Sequence, residues 1–129
     1  MVDYREHYQE IRATGASIVA VSVDAPDKSE VLRHELRLPF SILCDVERRV
    51  VREWSIYNPR ERGGIAKPAV FVIERDRTVR YGSVDAVTTR VPASEIVRVL
   101  QAVEGQPVRR KVYVPRLAEW FRAIRNMRR

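Results

Sequence analysis

Apolar residues recur at i, i+4 and i+7 through Tyr4, Tyr8 and Ile11, so the spacing predicts a helix over 3–14 that stops at Gly15. Ser17 to Asp24 is a β-branched run that is nearly apolar on both faces, the pattern of a strand buried in a parallel sheet. Asp24-Ala-Pro-Asp27 reads as a turn, and Asp27 with Glu30 forms a capping box that starts a helix to about Leu36. Leu38 to Cys44 is short and extended; Asp45 then caps a helix carrying Val46, Val50 and Trp54 on one face. Asn58 to Lys67 is a polar loop with Gly63-Gly64. Pro68–Ile73 and Thr78–Val84 are strands joined by the tight turn 74–77, hence an antiparallel hairpin. Pro92 opens a helix with Ile96, Val97, Leu100 and Val103 on one face and Gly105 at its end. The order predicts an α/β domain with a mixed sheet over 1–108.

The last 21 residues, 109–129, differ from this body. Leu117, Trp120, Phe121, Ile124 and Met127 fall on one helical face after Pro115, with Arg122, Arg125 and Arg129 turned away from it. Charge separates the two parts. Residues 1–108 hold 16 Lys/Arg and 16 Asp/Glu, whereas residues 109–129 hold eight Lys/Arg against Glu119 alone, so the whole net charge of +7 lies in the tail. The tail is therefore expected to be a basic amphipathic helix that docks on the sheet or on a second subunit. Binding to an anionic membrane is the alternative. Nucleic acid is disfavoured, because the neutral body offers neither a basic face nor a stacking platform.

Composition narrows the chemistry. The chain has 129 residues, 45% apolar and 32% charged, which fits one globular domain. Its longest uncharged stretch, 13–23, is too short to cross a bilayer. No secretion signal is visible at the N-terminus, and the expected compartment is a reducing cytoplasm. Cys44 is the single cysteine, which excludes a disulfide framework and a four-cysteine metal site. His7 and His34 lie on separate helices without ligand spacing, so neither metal nor cofactor is expected. Gly63-Gly64 lacks the Lys-Ser/Thr of a phosphate loop. Asp24, Asp27 and Glu30 are assigned capping and turn roles.

Cys44 is thus the one candidate nucleophile. Its structural reading is a small buried residue at a strand end. The functional reading is a redox role through an intermolecular disulfide. The carboxylate of Asp45 beside it would raise the thiol pKa rather than lower it.

The segment Ala13-Thr-Gly-Ala-Ser-Ile-Val-Ala-Val-Ser-Val-Asp-Ala-Pro, followed by Leu38-Pro-Phe-Ser-Ile-Leu-Cys-Asp45, Lys67-Pro-Ala-Val-Phe-Val-Ile-Glu74 and Asp76-Arg-Thr-Val-Arg-Tyr81, resembles the peroxiredoxins of the alkyl hydroperoxide reductase and thiol-specific antioxidant group. The likeness covers residues 4–104 and implies a thioredoxin-like fold, a mixed sheet flanked by helices. It implies thiol-dependent peroxide reduction, a thioredoxin-type reductant and a homodimer. It also places Lys67 at or near the family's pocket arginine, and Pro68 where thiol-facing thioredoxin-like proteins carry a cis-proline. Cys44, Lys67 and Pro68 are accordingly the candidate site residues.

The departures are as informative. The family's Pro-x-x-x-Thr/Ser-x-x-Cys motif is not found, and Cys44 stands where the family commonly has serine. The resemblance places Val2 inside the first long helix, so the expected fold is N-terminally truncated and lacks the central strand between 17–24 and 69–74. Three outcomes are open: a start called too late in a longer protein, direct pairing of the two flanking strands, or a second chain in the gap. As it stands the chain is expected to be inactive as a peroxidase; the alternative is a non-enzymatic interaction module that uses its basic tail. Arg77 replaces the glycine common in the hairpin turn, at a cost of roughly 1 kcal/mol if φ is positive there.

Overall fold

Residues 1–61, 63–85 and 90–102 are described by a computed structural model. The expected N-terminal helix forms as two pieces, α1 (Val2–Glu6) and α2 (Tyr8–Ala13), broken at His7. There φ is −93° and ψ is 10°. Backbone bonds run on through the break, His7 N–H to the Asp3 carbonyl and Ile11 N–H to the His7 carbonyl. The His7 ring Nδ1 also donates to the Asp3 carbonyl at 2.9 Å, so this oxygen serves two donors and the helix departs from ideal geometry. Gly15, with φ of 81°, follows the helix as anticipated.

β1 (Val19–Ser22), α3 (Pro26–Glu35) and β2 (Ser41–Cys44) form a parallel unit. Its register pairs Val19 with Ser41, Ala20 with Ile42, Val21 with Leu43, and Ser22 with Cys44. The capping box does not form. Helix α3 starts at Pro26 after the N-cap Ala25, with no side-chain cap, because proline has no N–H to satisfy in the first turn. Glu30 instead pairs with Arg33 at 2.6 Å.

Asp45 does cap a helix, but from a different phase. Its Oδ1 accepts from Arg49 N–H at 2.9 Å and its Oδ2 from Val51 N–H at 3.0 Å. Arg48 takes the left-handed conformation, φ 59°, so α4 begins only at Arg49 and runs to Glu53. The shifted start buries Val51 and leaves Val46 and Val50 exposed, where the sequence pattern put them inward. Trp54 still reaches the sheet: its ring meets Phe71 edge-on at 4.7 Å.

The loop expected at 58–67 carries a short antiparallel pair, β3 (Tyr57–Asn58) and β4 (Ile65–Ala66). Gly64 permits it. Its φ is 100°, and a Cβ there would lie 2.8 Å from the Tyr57 ring. The predicted hairpin is present as β5 (Ala69–Ile73) and β6 (Val79–Val84), with a bulge at Val72/Ile73. Arg77 closes its turn with φ of 72°.

α5 (Ala93–Gln101) follows, and packs Ile96 and Val99 with Val72, Tyr81 and Val91 into the core that Tyr4, Val70 and Leu100 flank. Val103, Gly105 and the helix expected over 109–129 fall outside the described residues. Within them, the single mixed sheet expected from the sequence is not formed: the parallel β1–β2 pair, the antiparallel β3–β4 pair and the antiparallel β5–β6 pair are three separate two-stranded sheets. They are not hydrogen-bonded to one another, so direct pairing of β1 with β5 does not occur.

Candidate functional site

Cys44 ends β2 and is half-buried opposite Ser22. The chain turns immediately after it, with the Asp45 N–H donating to the Ser22 carbonyl at 2.7 Å. Burial works to raise the Asp45 carboxyl, but the backbone N–H groups of Val51, Val50 and Arg49 outweigh it and hold the group below the usual carboxylate range. The residue next to the thiol is therefore an anion at neutral pH. No described hydrogen bond joins the Cys44 sulfur to a cationic side chain.

Lys67 and Pro68 lie at the start of the hairpin. Lys67 is exposed, its backbone N–H donating to the Ile56 carbonyl at 2.7 Å. Its ammonium makes no ion pair or hydrogen bond among the described residues. Pro68 is half-buried, and its carbonyl accepts from Asp85 N–H at 2.7 Å. The Lys67–Pro68 peptide is trans, contrary to the expectation taken from the resemblance. Trans is the intrinsically favoured isomer by about 0.5–1 kcal/mol, and here it feeds straight into the β5 ladder. No described hydrogen bond or ion pair joins Cys44 to Lys67 or Pro68: the first ends the parallel unit, the others open the hairpin.

A polar cluster that sequence reasoning missed ties the first helix to the start of α5. Asp3 Oδ2 accepts from Ala93 N–H at 2.7 Å, and its Oδ1 lies 3.2 Å from His7 Nδ1. The Tyr4 hydroxyl donates to the Val91 carbonyl at 3.1 Å, and the Tyr81 hydroxyl to Glu95 Oε1 at 3.2 Å. Asp85 accepts from Ser83 and from the Val91 N–H. Burial, then the carboxylate of Asp3, pushes the Tyr4 phenol up; burial, then Glu95, does the same for Tyr81. Both phenols are neutral donors at ordinary pH, and the arrangement is a latch rather than a nucleophilic site. Alternate inward positions on β6 pointed at Tyr81, but no local signal linked residues almost ninety positions apart.

Among the described residues no group of three or more His, Cys, Asp or Glu side chains is placed to hold a metal ion. No described helix is long and apolar enough to cross a membrane.

The AhpC/TSA family profile matches residues 1–82, more than half of the chain. The chain belongs to the AhpC/TSA family. Peroxiredoxin 2 of Thermoplasma acidophilum is 24% identical over 109 residues, which cover 80% of this chain and 54% of that protein. A putative peroxiredoxin of Mycobacterium tuberculosis is 28% identical over 78 residues, 57% of this chain and 50% of the relative. Among solved structures, AhpC of Mycobacterium tuberculosis superposes with a TM-score of 0.71 at 23% identity, covering 81% of this chain and 60% of the other. A reduced Prx3 of Vibrio vulnificus in complex with hydrogen peroxide gives 0.72 at 15% identity, covering 78% and 66%. The AhpC/TSA chain described here thus has the thioredoxin-like peroxiredoxin fold, and it spans about half the length of the first curated relatives it matches.

Proposed function

We propose that this AhpC/TSA chain is the scaffold portion of a thiol peroxidase and that its 129 residues reduce no peroxide by themselves. The family match over 1–82, with Cys44 as the chain's only thiol, carries the reading. Peroxide reduction needs a thiolate that attacks one peroxide oxygen while the O–O bond breaks and the alcohol or water leaves, giving a sulfenic acid for a second thiol to reduce. Cys44 ends β2, and among the described residues no hydrogen bond or ion pair joins it to Lys67 or Pro68.

The sheet supports the same reading. Among the described residues, β1 is paired only with β2, and β5 only with β6. Open apolar edges of this kind are what natural proteins avoid, so a further strand completing the sheet between them is the natural complement. In the completed assembly Lys67 and Pro68 would border the pocket, a thioredoxin-type protein would serve as reductant, and the compartment would be the cytoplasm. The test is sulfenate trapping with dimedone after brief exposure to stoichiometric hydrogen peroxide. Cys44 should label no faster than a free cysteine peptide, and labelling orders of magnitude faster would refute the proposal.

A further inference from the structure

The parallel unit leaves one face uncovered. Register places Val19, Val21, Ser41 and Leu43 on the same side of β1 and β2, and on that side Val19 is 56%, Val21 46% and Leu43 57% exposed. The opposite side, with Ala20, Ser22, Ile42 and Cys44, is half-buried. Neighbouring strands stand about 4.8 Å apart, so the three apolar side chains form one continuous patch. This patch is a face, separate from the open strand edges on which the proposed function draws, and its occupancy does not depend on that proposal.

We infer that this face is the docking site of the chain's own residues 115–127, which lie beyond the described structure. Chain length allows it. The Ala102 carbonyl is held by the Arg80 guanidinium, which fixes the start of the 27 residues that follow. A linker over 103–114 reaches at most about 40 Å when extended, ample to cross a small domain. A helix over the thirteen residues 115–127, as their periodicity predicts, would be about 20 Å long, enough to span two four-residue strands. Leu117, Trp120, Phe121, Ile124 and Met127 supply an apolar stripe to match the patch.

Charge agrees. Asp24 and Asp45 follow β1 and β2 at the same end of the unit. Asp24 is bonded to the Ser22 hydroxyl and Asp45 to backbone N–H groups, and neither is in an ion pair among the described residues. The tail brings eight Lys/Arg against one Glu, so its basic flanks meet an anionic rim.

The test uses the full chain with Trp54→Phe, which leaves Trp120 as its only tryptophan. Trp120 should then emit at short wavelength and resist acrylamide quenching at submicromolar concentration. Adding Val21→Lys or Leu43→Lys should shift the emission to the red and raise the quenching constant severalfold, with the far-ultraviolet circular dichroism retained. A Leu43→Cys, Ile124→Cys pair in the Cys44→Ser background provides a measurement that no surface lysine can unfold, and should oxidise to an intramolecular disulfide in monomeric protein. Four results would overturn the inference: a Trp120 quenched like the free amino acid, shielding untouched by both lysine variants, shielding lost on dilution (a second copy), or shielding that arises only with anionic phosphatidylglycerol vesicles (a lipid surface).

Discussion

Replacing Arg77 with glycine should stabilise the protein, although it removes a charged side chain from an arginine-rich chain. Arg77 sits at φ 72° in the β5–β6 turn, where its N–H donates to the Glu74 carbonyl at 2.9 Å and cannot leave without opening the turn. An L-residue in this region is strained by about 1–2 kcal/mol relative to right-handed backbone. Glycine removes that strain and returns about 0.5–1 kcal/mol through the greater freedom of the unfolded chain. The net gain is therefore about 0.5–1 kcal/mol, a Tm rise of roughly 2–5 °C for a domain of this size. The exposed Arg77 side chain makes no hydrogen bond or ion pair among the described residues that would offset the gain.

Two other arginines supply the controls. Arg37, at φ 49°, closes α3 while its N–H donates to the His34 carbonyl, and Arg37→Gly should add a similar increment independently. Arg48, at φ 59°, differs because its guanidinium donates to the Gly64 and Val46 carbonyls, so Arg48→Gly should give no net gain. Thermal and urea unfolding followed by circular dichroism reads all three. Arg77→Lys, which keeps the strain, should leave Tm unchanged. A destabilised Arg77→Gly, or an Arg77→Lys equally stabilised, would refute the backbone argument and implicate charge instead.

Val51 is 1% exposed and its truncation to alanine should cost about 1–3 kcal/mol in urea unfolding, whereas Val50→Ala, on the solvent side of the same helix, should stay within about 0.5 kcal/mol. Gly64→Ala should be destabilising because the added methyl meets the Tyr57 ring, and Tyr57→Ala should relieve part of that loss in a double-mutant cycle. The backbone carbonyl of Asp3 raises the His7 pKa, so the stability it confers is present below about pH 6.5 and fades as pH rises through the higher folded value. His7→Gln should flatten that part of the pH–stability curve. Asp45 has the opposite sign: its contribution is present above about pH 3.9 and is lost as pH falls through its depressed folded value, and Asp45→Asn should remove this acid limb.

Periodicity and turn chemistry made much of this fold legible from the residues alone. The Ser17–Asp24 run became β1, although Val19 and Val21 leave one of its faces exposed where the pattern put both inside, and the four residues 74–77 specified the hairpin turn, down to the left-handed strain at Arg77. The misreadings share a physical origin in local competition. Pro26 displaced Asp27 from the helix start, and the left-handed Arg48 shifted α4 so that Val51 rather than Val50 turned inward. The β3–β4 pair depends on Gly64 approaching the Tyr57 ring, a contact that sequence spacing does not encode. At the site, the placement of Cys44 at a strand end was legible because a short extended segment precedes it and an Asp cap follows it. The latch of Asp3 on Ala93 was not, since it joins residues 90 positions apart.

Hydrogen peroxide consumption tests the scaffold assignment most directly, measured with dithiothreitol and with a thioredoxin–thioredoxin reductase couple, for the full chain and for Cys44→Ser. Both proteins should match the protein-free rate. A turnover rate in the parent chain that Cys44→Ser abolishes would make Cys44 a working peroxidatic thiol and contradict that assignment.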